Sequence, residues 1–159
     1  MRDWLVAGGI VRGPDGLLLV QNRRRNGSLD WSTPGGVVDE GESIIEGLTR
    51  EVTEETGLSV TSWVGKAYDI EVEFADNDMF LRVEAHVART WTGDIVIDDP
   101  DGIVVAGQFF DDEEASRCLE DSPRWVHEPL VTWLGDPTID SFRYLVRGAK
   151  PRAWTVERR

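Results

Sequence analysis

The chain contains very little cysteine, histidine or methionine, and it has no long apolar run. Its 159 residues include one cysteine, two histidines and two methionines. A single cysteine, Cys118, excludes an intramolecular disulfide framework and fits a reducing compartment. No apolar stretch approaches the roughly 20 residues that cross a bilayer, and the N-terminal residues show no signal-peptide pattern. We therefore expect a cytoplasmic protein with no membrane partner.

Positive charge is also scarce. The chain has 17 lysines and arginines against 30 aspartates and glutamates, which gives a net charge of −13. Binding along duplex nucleic acid requires a basic surface, so duplex nucleic acid is excluded as the main partner. A phosphate-bearing small molecule would have to be held by a metal ion and by local arginines, because the overall field opposes it.

The length predicts one domain followed by a short extension. The turn Gly135-Asp136-Pro137 leads us to place a domain at residues 1–136 and an extension at residues 137–159. In the extension, residues 142–147 alternate apolar and polar positions, and residues 154–157 can pair with them as a β-hairpin. Residues 138–159 carry a net charge of +4, which leaves −17 for the rest. We expect the hairpin to pack on the acidic body of the same subunit or of a partner, which leaves monomer and homodimer both open.

Strand patterns lie on both sides of a helical pattern. We predict strands at residues 4–12, 17–21, 60–64, 66–74, 79–90 and 103–110. Helices are predicted from residue 42 or 43 to 56, from 111 to 119 and from 124 to 134. Residues 17–20 are apolar at every position, which indicates burial on both faces. This order of elements predicts an α/β/α sandwich around a mixed β-sheet.

Residues 36–58, GVVDEGESIIEGLTREVTEETGL, place glutamates beside an apolar stripe of the first helix. The stripe is predicted to contain Ile44, Ile45, Leu48 and Val52. Glutamates 51, 54 and 55 share one face, and the helical period puts residue 55 on the buried side. A solvated acidic helix edge is the alternative. Desolvation and repulsion oppose such a cluster without a cation, so the placement favours Mg²⁺ or Mn²⁺ with oxygen ligands.

The same residues match the pattern G-x5-E-x7-R-E-U-x-E-E-x-G-U at every specified position, where U is aliphatic. This pattern resembles the Nudix box, and the chain is therefore similar to Nudix hydrolases. The resemblance is detailed over about 23 residues and compatible with residues 4–134. It implies the Nudix-type sandwich around a mixed sheet. It also implies hydrolysis of a pyrophosphate linkage in a nucleoside diphosphate attached to another group.

The resemblance further implies roles for single residues. The expected metal ligands are Gly36, through its carbonyl oxygen, Glu51, Glu54 and Glu55. The expected catalytic residues are Glu54, Arg50 and Glu51. The expected cofactor is Mg²⁺, for which Mn²⁺ can substitute. Arg50 stands four residues after Glu46 and four before Glu54, so it is placed to pair with a carboxylate and orient it.

Two sets of residues outside the box are further candidates. The family often adds a downstream carboxylate, and no spacing selects among Asp98, Asp99, Asp101, Glu113 and Glu114. Substrate-binding candidates are Arg23, Arg25 and Trp31. The alternatives are a solvated basic turn for the arginines, in the polar loop 22–30, and a core position for the tryptophan.

The substrate is less well defined than the family. Residues 72–78 lack the proline and the tyrosine that mark ADP-ribose and dinucleoside polyphosphate hydrolases, and no coenzyme A or NADH motif is evident. The remaining resemblance is to the MutT-like group, which acts on nucleoside triphosphates, including oxidised or deoxy forms. Alternatives are an ADP-ribose or sugar-nucleotide pyrophosphatase and a catalytically silent nucleotide-sensing module. Isopentenyl diphosphate isomerases share the fold, but Cys118 is poorly placed for their catalytic cysteine.

Overall fold

The computed structural model describes residues 1–159 and has ten strands and three α-helices. The strands are β1 (Arg2–Ile10), β2 (Arg12–Gly13), β3 (Gly16–Arg23), β4 (Leu29–Ser32), β5 (Gly35–Val37), β6 (Ser59–Phe74), β7 (Met79–Thr92), β8 (Val104–Phe110), β9 (Ser141–Arg147) and β10 (Thr155–Arg158). The helices are α1 (Ile44–Thr56), α2 (Asp112–Cys118) and α3 (Arg124–Gly135). None of these helices combines the length and apolarity needed to span a membrane.

The strands form two sheets. The six-stranded main sheet has the order β10-β9-β6-β7-β1-β5. Its pairs β1–β7 and β6–β9 are parallel and the others antiparallel, so the sheet is mixed as predicted. In the smaller sheet, β3 pairs with β2, β4 and β8. With helices packed on these sheets, the architecture is the predicted α/β fold.

Strand β3 lies between two hydrophobic clusters. Leu17 and Leu19 belong to the larger cluster, which also contains residues of β6, α3 and β9. Leu18 points the other way, into a smaller cluster with Leu48 and Val52 of α1. All three leucines are fully buried. The prediction of burial on both faces is confirmed, because side chains alternate across a strand that is covered on both sides.

Strand β6 was predicted as two strands and is one. It runs for 16 residues, and its pairing with β7 shifts register at four places between Val60 and Tyr68. Gly65 lies within this irregular part. A bulge inserts residues into one strand while its pairing continues, and this explains why the sequence pattern is interrupted where the strand is not.

Helix α1 is bounded by strong local signals. Ser43 accepts a hydrogen bond from the Glu46 amide, and the Glu46 side chain accepts one from the Ser43 amide, which completes a capping box. Gly57 ends the helix in a left-handed conformation with φ of 81°. One predicted member of the apolar stripe is wrong: Ile45 is 37% exposed. It lies about 100° around the helix from Ile44, on the side turned away from the core.

The C-terminal strands β9 and β10 extend the main sheet, and together with the segment that joins them we call them the tail hairpin. They pair with each other, and β9 pairs in parallel with β6 of the same chain from Asp69 to Phe74. Phe142, Tyr144 and Val146 belong to the larger hydrophobic cluster. The domain boundary at residue 136 stays a prediction, although the tail hairpin contributes strands and core residues to the body.

A substitution in the tail hairpin tests this integration. We expect Phe142→Ala to lower the free energy of unfolding by about 3–5 kcal/mol, because it empties a fully buried aromatic site. Urea denaturation, followed by circular dichroism, measures the change. Val64→Ala, at a position 58% exposed, is the control and should change stability by less than about 0.5 kcal/mol. A wild-type unfolding midpoint in Phe142→Ala would show that the tail folds separately.

Candidate active site

An open cavity of about 490 Å³, which we call the acidic cleft, lies between β3, β5, α1 and the loop before β8. Its lining residues are Asn22, Arg24, Ser32, Gly35, Gly36, Val37, Asp39, Glu51, Glu55, Asp99, Asp101, Ile103 and Val104. Five of these carry carboxylates and one, Arg24, carries a positive charge. The cleft therefore attracts cations and repels a phosphate that arrives without one.

Gly36 of β5 lies against the carboxylate of Glu51. A Cβ atom built on Gly36 would lie 2.7 Å from the Glu51 Cδ atom and 2.9 Å from each carboxylate oxygen. Only glycine leaves room for this side chain to reach the strand backbone. The structure thus brings together two of the predicted metal-ligating residues. Burial raises the pKa of Glu51, and Arg50 opposes that rise.

Glu55 is the most deeply buried carboxylate of the cleft, at 6% exposed. Its Oε1 atom accepts a hydrogen bond from the Gly35 amide at 2.9 Å. Burial, followed by repulsion from Glu51, Asp99 and Glu54, raises its pKa to about 8, although the bond from Gly35 acts in the opposite direction. Its predicted position on the buried side of α1 is confirmed. A buried acid in a group of like charges requires a proton or a cation beside it.

Arg50 crosses the exposed edge of this group and pairs with four carboxylates. Its Nη1 atom lies 3.1 Å from Glu51 Oε1 and 3.2 Å from Glu54 Oε2. Glu42 receives two hydrogen bonds from it, from Nε at 2.8 Å and from Nη2 at 2.9 Å. Asp39 lies 3.2 Å from Nη2. The hydrogen bonds from Arg50, followed by one from the Asp39 backbone amide, lower the pKa of Glu42 to about 2.

The pairing of Arg50 differs from the sequence expectation in one respect. Of the two glutamates four residues away, Arg50 contacts Glu54 and not Glu46, whose carboxylate instead closes the capping box at Ser43. Gly47 gives Glu42 its room, since a Cβ atom there would lie 3.2 Å from Glu42 Oε1. Glu42 therefore fixes the arginine that in turn contacts the helix carboxylates.

Glu54, which is predicted to be both a metal ligand and a catalytic residue, does not line the acidic cleft. Its side chain is 32% exposed and is held by Arg50 at the cleft edge. It still lies close enough to contribute to the raised pKa of Glu55. The helix carboxylates are thus arranged in depth, with Glu55 buried, Glu51 against Gly36 and Glu54 near solvent.

The loop before β8 supplies further carboxylates, which sequence spacing alone left unselected. Asp99 and Asp101 line the cleft, whereas Asp98, Glu113 and Glu114 do not. Asp99 accepts hydrogen bonds from the backbone amides of Asp101, Ile103 and Val104. This aspartate shapes its own loop. Asp101 contributes charge to the site and helps to raise the pKa of Glu51.

None of the three predicted substrate-binding residues, Arg23, Arg25 and Trp31, lines the acidic cleft. The cleft is lined by Arg24, and neither Arg23 nor Arg25 is among its lining residues. Arg24 is held by Asp30, with Nε to Oδ2 at 2.6 Å. The third candidate, Trp31, packs edge-on against Phe110 at 5.1 Å and does not line the cleft either.

Sequence reasoning did not single out Asn22. It is 6% exposed, lines the cleft and donates from Nδ2 to Asp30 Oδ1 and Ser32 Oγ. The available signal was an asparagine two residues after the apolar run of residues 17–20. It marks the point where β3 leaves the core and enters the site.

A second cavity of about 200 Å³, which we call the apolar pocket, adjoins the acidic cleft. The two share Ser32 and Gly35. The lining residues of the apolar pocket are Val6, Ala7, Gly8, Ser32, Thr33, Gly35, Tyr68, Ile70, Leu81, Val83, Ala85, Trp125 and Val126. No charged side chain lies among them. The site therefore combines an acidic part with an apolar part.

The chemistry of the cleft fits a divalent metal ion. Its donors are carboxylate oxygens, which Mg²⁺ and Mn²⁺ prefer. Glu55 is buried beside Glu51 and Asp99, and a cation would stabilise the charged form of such a carboxyl group. No three acidic, histidine or cysteine side chains stand at metal-ligand spacing in the structure. Of the expected metal ligands, Glu51 and Glu54 pair with Arg50.

The chain is similar to several known proteins. It is 38% identical to the oxidized purine nucleoside triphosphate hydrolase of Mus musculus over 46% of this chain and 47% of that protein. It is 24% identical to the RNA pyrophosphohydrolase of Caulobacter vibrioides over 91% of this chain and 88% of that protein. The chain spans about half the length, or less, of the first two curated relatives that it matches.

Solved structures share the fold. The E. coli ORF135 protein superposes with a TM-score of 0.70 at 20% identity, covering 88% of this chain and 96% of that one. The MutT protein of Bacillus halodurans superposes with a TM-score of 0.67 at 20% identity, covering 97% of each chain. The sequence model of the NUDIX domain matches residues 3–134. Together with the intact box and the acidic cleft that it forms, this match shows that the chain belongs to the Nudix hydrolase family.

Proposed function

We propose that the protein is a divalent-metal-dependent hydrolase of a pyrophosphate linkage in a nucleoside diphosphate derivative, with a nucleoside triphosphate as its substrate. The observation that carries this proposal is the acidic cleft, where the helix carboxylates Glu51 and Glu55 meet the backbone of Gly35 and Gly36. The relatives support the reaction class, since the proteins from mouse and Caulobacter are a nucleoside triphosphate hydrolase and a pyrophosphohydrolase.

The cleft meets the physical demands of this reaction. Adjacent phosphates carry several negative charges that repel both a nucleophile and an acidic protein. A bound Mg²⁺ neutralises these charges and polarises the phosphoryl oxygens. In the proposal, the Gly36 carbonyl, Glu51, Glu54 and Glu55 hold the ion, with Mn²⁺ able to replace Mg²⁺. Arg50 keeps Glu51 and Glu54 oriented toward each other.

A carboxylate in the cleft or at its edge must also orient the attacking water and take its proton. We assign this role to Glu54 or Glu51, which share the Arg50 guanidinium at the mouth of the cleft. Asp101 is the proposed downstream acid, because Asp99 is already engaged by three backbone amides. Arg24 is the cation of the cleft lining and is the proposed contact for a phosphate oxygen.

The apolar pocket suits the group that the phosphates carry. Its floor is formed by apolar side chains of the main sheet, and Trp125 offers an aromatic ring beside it. A planar nucleobase can stack and desolvate in such a pocket while the diphosphate extends into the acidic cleft. The shared residues Ser32 and Gly35 mark the junction between the two parts.

A panel of substrates tests the reaction. We expect Mg²⁺- or Mn²⁺-dependent release of pyrophosphate, phosphate or a nucleoside monophosphate from one class among canonical and oxidised nucleoside triphosphates, ADP-ribose, sugar nucleotides and dinucleoside polyphosphates. Glu54→Gln and Glu55→Gln should each lower kcat by at least about 100-fold, because each removes a charge that holds the ion or activates water. Ion chromatography of the products measures both effects.

The controls separate catalysis from binding. Glu113→Gln, on the exposed surface of α2, should retain wild-type turnover. Tight binding of one nucleotide without turnover of any would contradict hydrolysis and favour a nucleotide-sensing module. Turnover confined to ADP-ribose or sugar nucleotides would keep the reaction and replace the substrate class.

Gly36→Ala is expected to lower activity while leaving stability almost unchanged. The added Cβ would meet the flexible Glu51 carboxylate, so the side chain moves and the backbone need not. We expect kcat/KM to fall by at least about tenfold with a change in Tm below about 3 °C. Gly135→Ala is the control, because its Cβ would meet no other atom. Equal activity of both variants would contradict the placement of Glu51 against the strand.

The raised pKa of Glu55 predicts an unusual dependence of stability on pH when EDTA is present. Its folded-state pKa of about 8 lies above its ordinary value of 4.5. The folded protein therefore keeps a proton that the unfolded chain releases. The stability due to this proton is complete below pH 4.5 and is lost as the pH rises through 8.

Glu55→Gln removes this dependence and keeps the acceptor for the Gly35 amide. At pH 8 in EDTA, we expect the free energy of unfolding of Glu55→Gln to exceed that of the wild type by roughly 2–4 kcal/mol, and the difference should vanish near pH 4.5. Thermal denaturation across this pH range measures it. Mg²⁺ should raise the Tm of the wild type more than that of the variant. A difference independent of pH would contradict the burial of a titrating acid.

A further inference from the structure

One wall of the apolar pocket depends on the tail hairpin. Trp125 and Val126, at the start of α3, form this wall. Away from the pocket, the Trp125 ring packs against the rings of Phe74 and Trp154, with ring centroids 5.4 Å and 5.5 Å away. The rings of Trp154 and Phe74 also pack together, with centroids 5.4 Å apart, so the three rings form one mutually packed group. Trp154 itself does not line the pocket.

A second contact joins α3 to the tail hairpin. The Glu128 carboxylate, one turn after Trp125, accepts a hydrogen bond from the Tyr144 hydroxyl at 2.9 Å. The same carboxylate accepts one from Arg124 Nε at 2.8 Å and lies 3.4 Å from Arg158 Nη1. Tyr144 belongs to β9 and Arg158 to β10. The helix that carries the pocket wall is therefore fixed by both strands of the hairpin.

These contacts come from residues beyond the part of the chain that the NUDIX domain matches, which ends at residue 134. We propose that the tail hairpin sets the width of the apolar pocket, and that Trp154 is a positioning residue that acts on the nucleobase through Trp125. The inference rests on the proposed function, because it takes the occupant of the pocket to be the base of the nucleotide substrate.

The geometry confines the effect to one end of the substrate. Without the Trp154 ring, Trp125 loses the support on the side away from the pocket and can turn into the space that is left. The acidic cleft is built from β3, β5, α1 and the loop before β8, none of which contacts Trp154 in the ring group. Base binding should therefore weaken while phosphate binding and the chemical step persist.

Four variants test this assignment, and the fourth, Tyr144→Phe, removes one bond between the tail hairpin and α3. Trp154→Ala removes the ring, and Trp154→Phe keeps an aromatic ring while deleting the indole N–H, which has no hydrogen-bond partner. Leu145→Ala is the matched control in the same hairpin. Leu145 is 4% exposed but lies outside the larger cluster and lines a groove with Glu73 and Phe80. Its loss perturbs β9 without touching the three rings.

The measurements are KM and kcat for the nucleotide that the wild type hydrolyses, and the inhibition constant of inorganic tripolyphosphate, which has no base. We expect Trp154→Ala to raise KM about tenfold with kcat within about twofold and with the tripolyphosphate constant unchanged. Trp154→Phe and Leu145→Ala should keep KM within about twofold of the wild type. Tyr144→Phe, which removes one bond to Glu128, should raise KM about threefold.

Other outcomes overturn the proposal. An unchanged KM in folded Trp154→Ala would do so, and so would an equal loss of affinity for tripolyphosphate, which indicates a general disturbance. Should Trp154→Ala fail to fold, the KM of Tyr144→Phe is compared with that of Leu145→Ala. A ratio near one would contradict the proposal that the tail hairpin sets the width of the apolar pocket. If the wild type hydrolyses no nucleotide, the proposed function fails. In that case, calorimetric dissociation constants of AMP and GMP, compared among the same variants, still test the role of Trp154.

Discussion

The close approach of the β5 backbone to helix α1 is the constraint on which the site depends. Gly35 donates to the buried Glu55, and Gly36 leaves room for the Glu51 carboxylate. A side chain at residue 35 would lie 2.0 Å from the Ala7 carbonyl oxygen of β1, so this strand can pair at the sheet edge only with glycine there. The same two residues serve sheet pairing and the site, which explains why strand and helix meet at van der Waals distance.

Without Arg50, the carboxylates on and beside α1 would repel one another. Arg50 pairs with Glu42, Glu51 and Glu54 and lies over the outer edge of the group, while Glu55 remains in the interior. Such an arrangement is poorly suited to maximal stability, because a buried carboxylate costs free energy that a well-packed apolar side chain would not. Stability sacrificed at one position commonly marks a functional site, and the surrounding core of fully buried residues compensates for it.

The tail hairpin packs on the body of the same chain. Its net positive charge suggested contact with the acidic body, and ion pairs from Arg143 to Glu71 and from Arg158 to Glu128 are present. The larger contribution is apolar, since Phe142 and Val146 are almost fully buried. Exposed ion pairs contribute little, so hydrophobic burial and strand pairing hold the hairpin.

Local sequence determined a large part of this protein. The capping box, the left-handed glycine and the period of 3.6 defined α1, and the fixed spacing of its glutamates indicated both the family and the chemistry, because these features act within one turn of helix. Tertiary structure decided the rest. The cleft is lined by Arg24 rather than Arg23 or Arg25, by Asn22, and by Asp99 and Asp101 among the five acids, because distant segments turn these side chains toward it. The apolar pocket has the same origin, since its lining comes from strands and a helix far apart in the chain, and no local pattern records such a meeting.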